Sequence, residues 1–227
     1  MPSPSENRKR AALLELAKRR QADRLPPHSN LSDFHNGYYE CDFVSPWTIS
    51  AQNVDSPLML IGQDWLSSSR LNLPKDEEQK RRGQTWNLPT NETLRCLLQR
   101  HMALSFGDTY ATNLFPFIKP GRMTVPIPTA DLDYCASRYA IPQIKIVAPK
   151  MVVCLGRATF DALRRALPQP PIAWAEACWP NCHTLLNDIE IYGAPHPGRL
   201  GVLNAGGMTR VHEIWSRLSA RLRELSR

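Results

Sequence analysis

Four polar side chains of types that carry out acid–base or hydrogen-bonding chemistry stand at or near the ends of apolar runs. They are Gln63, Asp64, Asn113 and His196. Proteins use carboxylates and imidazoles as general acids and bases, and an amide can both donate and accept a hydrogen bond. Three of the four residues, taken singly, have a structural alternative. Asp64 could cap a turn, Asn113 could cap the next segment, and His196 could be an ordinary turn histidine.

Four short apolar runs predict the strands that position these residues. The runs lie near residues 57–62, 109–115, 151–155 and 189–194, and helical patterns separate them. Strands that alternate with helices predict a parallel sheet with helices on both faces. We therefore expect an α/β fold, a three-layer α/β/α sandwich with a central four-stranded parallel sheet. The carboxyl ends of such strands share one edge, where ligands bind.

Local signals set the expected helix boundaries. Thr90 is predicted to cap a helix with an apolar face, Gly156 to open another, and Asn204 to cap the last one. A helical pattern over 130–147 contains Pro142, which predicts a kink. Residues 31–56 are loop-like and rich in aromatic side chains, Trp47 among them, and we expect them to pack as a flap.

The first 30 residues differ in composition from the rest. A basic helical pattern runs through them until Pro26-Pro27 ends it. We expect residues 1–30 to form a basic helical appendage and residues 31–227 to form the α/β/α domain. The basic helix could lie on nucleic acid, or it could be a solvated surface helix with one packed face.

Composition and charge narrow the partners. The 227 residues are 42% hydrophobic and carry a formal net charge of +7, with a pI of about 9.3. This balance favours a polyanionic partner such as nucleic acid. No stretch approaches the roughly 18 apolar residues of a membrane span, and no apolar signal core follows the N-terminus. We expect a cytoplasmic monomer that binds no membrane.

The six cysteines predict no cofactor. Most are expected to be small buried hydrophobic residues, kept reduced in the cytosol. Cys178, Cys182 and His183 alone have ligand-like spacing, and no second paired set accompanies them. A zinc or iron–sulfur site needs such a set, so we expect no metal.

Five ordered segments carry a resemblance to a known family. They are Gly62-Gln63-Asp64, Gly83-Gln84-Thr85-Trp86, Asn113, Leu155-Gly156 and His196-Pro197-Gly198-Arg199-Leu200. The first resembles the Gly-Gln-Asp-Pro-Tyr-His motif of the uracil-DNA glycosylase superfamily, and the last resembles its His-Pro-Ser-Pro-Leu-Ser motif. The resemblance covers roughly residues 57–218. It implies a hydrolase that removes uracil or a related deaminated base from DNA in base excision repair.

The resemblance also implies roles for individual residues. Asp64 and His196 would be catalytic: Asp64 stabilises a cationic sugar and activates water, and neutral His196 donates to the departing base. Asn113 would read the imide edge of the base, with Gln63 beside it. Trp86 would stack on the extruded base, although it could be simple core.

The last motif would contact DNA. Leu200 matches the family's wedge, which fills the gap left by a flipped nucleotide, although it could be an ordinary exposed loop residue. Arg199 would contact phosphate, and Gly198 replaces a serine that does so in the family.

The first motif departs from the family pattern. Trp65, Leu66 and Ser67 stand where Pro-Tyr-His is common. That tyrosine blocks the thymine methyl group, so the base that Leu66 admits stays open. No lysine stands in the motifs to form a Schiff base, which predicts a monofunctional enzyme. A protein on the same fold that binds DNA or a modified base without cleaving it is the alternative.

Overall fold

The computed structural model describes residues 3–178 and 183–227. Its centre is a sheet of five strands, Leu58–Asp64 (β1), Tyr110–Phe115 (β2), Met151–Leu155 (β3), Thr184–Leu186 (β4) and Ile189–Ala194 (β5). Their order in the sheet is β2-β1-β3-β5-β4. The four predicted strands, β1, β2, β3 and β5, are all present and run parallel to one another, as predicted.

The prediction of four strands is wrong in number, because β4 pairs antiparallel with β5. β4 is three residues long and lies at the sheet edge, and only two residues separate it from β5. A run this short has too few residues to show an apolar pattern. The described part of the chain therefore forms a five-stranded, mostly parallel sheet.

Helices pack on both faces of the sheet. Alternate residues of β1 enter two hydrophobic clusters, Met59 and Ile61 in one and Leu58 and Leu60 in the other. This alternation follows from the two-residue period of a strand. The helices are Pro4–Ala22 (α1), Ser68–Leu71 (α2), Glu77–Arg82 (α3), Pro89–Met102 (α4), Thr129–Cys135 (α5), Ile141–Val147 (α6), Arg157–Ala166 (α7), Trp174–Ala177 (α8), Arg199–Asn204 (α9) and Met208–Leu225 (α10).

Two predicted caps are wrong. Helix α4 begins at Pro89, one residue before Thr90, because proline fits the first helical position, where its missing N–H is not needed. Asn204 ends α9 rather than capping α10. Gly206 and Gly207, with φ of +93° and +102°, break the chain between these two helices. Gly156 does open α7, as predicted. A π-helical segment, Ala136–Ala140, joins α5 to α6 just before Pro142.

Helix α1, expected as a basic appendage, packs against the domain. Its Leu13 and Leu16 belong to the cluster that also contains Ile61. Arg20 is fully buried, and its guanidinium group donates to Glu40. Among the described residues, no helix is long and apolar enough to cross a membrane.

Candidate active site

The carboxyl edge of the sheet forms the floor of a cavity of about 230 Å³. Five predicted site residues line it, which are Gln63, Asp64, Leu66, Asn113 and His196. Pockets for drug-sized ligands are usually larger, roughly 300–1,000 Å³. The cavity therefore suits a small ligand such as a single planar ring.

Asp64 ends β1 and is paired with a lysine that no motif marked. The Asp64 side chain is 9% exposed, and its Oδ2 lies 3.0 Å from Nζ of Lys119, which is itself buried. Lys119 also donates to the carbonyl oxygen of Met123. Burial raises the pKa of Asp64, while the charge of Lys119, and less so that of His196 when it is protonated, acts to lower it. Lys119 is thus the main group that favours the ionised carboxylate.

His196 enters the cavity in a fixed tautomer. The backbone N–H of Gly198 donates to His196 Nδ1 over 3.1 Å, so Nδ1 is an acceptor and a neutral ring carries its proton on Nε2. The residue is exposed through the cavity opening, yet protein surrounds enough of the ring for desolvation to lower its pKa. Asp64 opposes that shift. A neutral imidazole that donates from Nε2 results.

Asn113 is fixed by its neighbours on two sides. The Ser45 hydroxyl donates to Asn113 Oδ1 at 2.6 Å, so Nδ2 remains as the donor group. In the sheet register Asn113 pairs with Gly62. A Cβ atom at Gly62 would lie 2.9 Å from Asn113 Nδ2 and 3.3 Å from Trp47 Cζ3. Glycine at this position lets the amide and the indole approach each other.

The structure does not place Trp86, predicted to stack on the base, in the lining of this cavity, and its stacking role stays a prediction. Trp86 is half-buried outside the cavity, with the guanidinium groups of Arg82 and Arg95 over its ring, 4.3 and 4.0 Å from the centroid. Arg95 also donates to the Trp86 carbonyl oxygen. These cation–π contacts hold the ring away from the sheet edge.

Two other tryptophans line the cavity instead. Trp47 lies in the 3₁₀ segment Pro46–Ser50 and is buried, and Trp65 follows β1 and donates to the Gly83 carbonyl oxygen. The sequence context of Trp47 predicts only packing within a flap. No spacing signal links it to the strand ends, because its position depends on how the segment folds over Gly62.

The predicted DNA-contacting residues lie beside the cavity rather than in it. Gly198 precedes α9, and Arg199 and Leu200 are exposed in its first turn. Leu200 is 73% exposed, unusual for a large apolar side chain. Its contact with DNA stays a prediction.

Within residues 3–178 and 183–227, no group of three or more His, Cys, Asp or Glu side chains could hold a metal ion. Cys182, one of the three residues with ligand-like spacing, lies outside the described residues. Cys178 is buried, which raises its pKa to about 12 and disfavours the thiolate that a metal needs.

Comparison with known proteins agrees with this geometry. The family model of the uracil DNA glycosylase superfamily matches residues 50–219, about three quarters of the chain. The matched range contains Asp64, Asn113 and His196, whereas Trp47 precedes it. A search of curated proteins gave no match. The family match covers the whole carboxyl edge of the sheet, and the chain belongs to the uracil-DNA glycosylase superfamily.

Proposed function

We propose that this protein is a monofunctional DNA glycosylase, which hydrolyses the N-glycosidic bond of a flipped uracil or related deaminated base in DNA. The observation that supports this most is that Asp64 and His196 line the same small cavity. A protein that only binds DNA needs neither a buried carboxylate nor a neutral imidazole donor at that place.

The two side chains match the charges that form in the reaction. When the bond breaks, positive charge develops on the deoxyribose and negative charge on the departing base. Asp64 stabilises the cation and accepts a proton from the attacking water, whose oxygen bonds to the sugar carbon. His196 stabilises the departing base anion by donating from Nε2 to its carbonyl oxygen.

Other residues that line the cavity account for base binding. Asn113 offers its Nδ2 donor to a base carbonyl, and a base stacked on an aromatic side chain gains about 1–3 kcal/mol. Trp47 and Trp65 are the cavity tryptophans that can supply this contact. Leu66 lines the same cavity and limits the substituents that a pyrimidine ring can carry.

Lys119, the lysine paired with Asp64 at the cavity floor, is poorly placed to form a Schiff base with the sugar. A Schiff base needs a neutral amine with a free lone pair. The Lys119 amine is instead in an ion pair with Asp64 and donates to Met123. We therefore expect base release without strand cleavage, and no adduct trapped by borohydride.

The test is a panel of oligonucleotides that contain uracil, hypoxanthine, xanthine or a thymine mismatch, treated with the purified protein in EDTA and then with alkali. Strand breaks that appear only after alkali, at one of these bases, are the expected result. The net charge of +7 supports DNA as the partner. Tight binding of a modified base without any release would support the non-catalytic alternative instead.

A further inference from the structure

Gln84 is a buried amide at the cavity that the proposed reaction does not use. It is 5% exposed and lines the cavity. Its neighbour Gly83 has a φ of +69°, and a Cβ atom there would lie 1.7 Å from the Pro46 carbonyl oxygen. Because Gly83 has no Cβ atom, the loop that carries Gln84 can pack closely against the segment that carries Trp47.

The amide of Gln84 is oriented by Trp47. The indole Nε1–H of Trp47 donates to Gln84 Oε1 over 3.4 Å. A flipped amide would place its NH₂ group against this N–H, donor against donor, so only one orientation is favourable. Gln84 Nε2 is then buried without a hydrogen-bond partner among the described residues.

An unpaired buried donor has a free-energy cost and usually has a functional reason. Bound ligand would remove the cost by supplying an acceptor. Asn113 has the same orientation: the Ser45 hydroxyl accepts from the Trp47 backbone N–H and gives its own proton to Asn113 Oδ1. Both amides around Trp47 therefore keep their NH₂ groups as the free donors.

We propose that Gln84 is a specificity-determining residue, whose Nε2–H donates to a carbonyl oxygen of the base in the cavity. This inference rests on the proposed function, because it assigns a partner to Gln84 on the same extruded base. Bases with a carbonyl oxygen at that edge are accepted, and the exocyclic amino groups of cytosine and adenine are rejected because they also donate.

The test is Gln84→Glu, which keeps the acceptor for Trp47 and replaces the orphan donor with a carboxylate oxygen. We expect kcat/KM on the best oxo-base substrate to fall by at least roughly tenfold, with weaker preference for uracil over cytosine. Gln99→Glu makes the same change of charge on the exposed face of α4 and is expected to stay within about threefold of wild type. Thermal unfolding checks that both variants fold.

Binding is measured in parallel with an oligonucleotide that carries an uncleavable 2′-fluorinated deoxyuridine, against its cytosine counterpart. If the wild type prefers the uracil analogue and Gln84→Glu loses that preference, the inference is supported, even when neither protein cleaves any substrate. Absence of cleavage would overturn only the glycosylase proposal. Equal cleavage and equal preference in wild type and Gln84→Glu would overturn the inference and leave the glycosylase proposal standing. A wild-type protein that neither cleaves nor discriminates would overturn both.

Discussion

The floor and the walls of the cavity are built by different means. The floor consists of strand ends, where Gly62 pairs with Asn113 in parallel register and Asp64 follows two residues later. The walls come from loops and a 3₁₀ segment, which place Trp47 at the cavity and Trp86 outside it. Sheet register fixes the floor from local sequence, whereas the walls depend on long-range packing. The floor should thus carry the chemistry and one contact to the base, through Asn113, while the walls supply the other contacts that select and hold the base.

Substitutions in the catalytic pair should have the largest effect. Asp64→Asn removes the negative charge and the general base that accepts the proton of water. His196→Ala removes the hydrogen-bond donor to the departing nucleobase. Each is expected to lower kcat by roughly 10²–10⁴-fold, the usual contribution of a positioned acid or base. Single-turnover cleavage measures this, and unchanged circular dichroism shows that the fold is kept. Near wild-type rates in both variants would contradict the assignment.

Trp47, in a wall of the cavity, and Trp86, outside the cavity, give a sharper comparison. Trp47→Leu removes an aromatic surface from the cavity and should lower kcat/KM by about 10-fold to 100-fold, from a stacking energy of about 1–3 kcal/mol. Trp86→Leu, outside the cavity, should change kcat/KM by less than about threefold. Thermal unfolding of each variant separates loss of packing from loss of base contact. A larger loss of activity for Trp86→Leu would restore Trp86 as the stacking residue.

Lys119 connects the floor to the loop that contains Met123, and its effect should appear in the pH profile. Active Asp64 is deprotonated, so activity is lost as pH falls through its pKa, which burial already raises. Lys119→Met removes the main attraction that lowers this pKa. The acid limb of kcat/KM should move to higher pH, with recovery under alkaline conditions. His196 is the other titratable neighbour: burial lowers its pKa, and when protonated it also acts to lower the pKa of Asp64.

Lys119→Arg is the matched control, because it keeps a cation beside Asp64. We expect its acid limb to stay close to that of the wild type. An acid limb that is the same in wild type and Lys119→Met would show that Lys119 serves packing alone. Thermal unfolding of both variants accompanies the profiles, since an unpaired buried carboxylate destabilises the fold.

The site residues differ in whether the sequence alone could predict their place in the cavity. Asp64, Asn113 and His196 could be predicted because each stands at or near the end of an apolar run, and parallel strands bring such ends together. Lys119 and Gln84 could not, since their roles come from one ion pair and one hydrogen bond between segments distant in sequence. The packing of α1 could not be predicted for the same reason, because Arg20 is buried in an ion pair with Glu40, a residue distant in sequence.

The smallest expected effects lie at the rim, where Arg199 and Leu200 are adjacent in sequence but differ in chemistry. Arg199→Ala should weaken DNA binding uniformly across sequences. A lost phosphate contact should make the log–log dependence of affinity on salt less steep by about 0.9 on duplex DNA. Leu200→Ala should leave that slope unchanged, because an apolar wedge contacts bases and releases no counterions.

Leu200→Ala should instead slow base release from duplex DNA by a few-fold to tenfold, since nothing then fills the gap left by the flipped nucleotide. On single-stranded DNA no partner strand closes that gap, so the same variant should resemble wild type there. Single-turnover rates on matched single- and double-stranded oligonucleotides measure this contrast. An equal loss on both substrates would mean that Leu200 supports the loop of His196, which places it with the catalytic machinery rather than the rim.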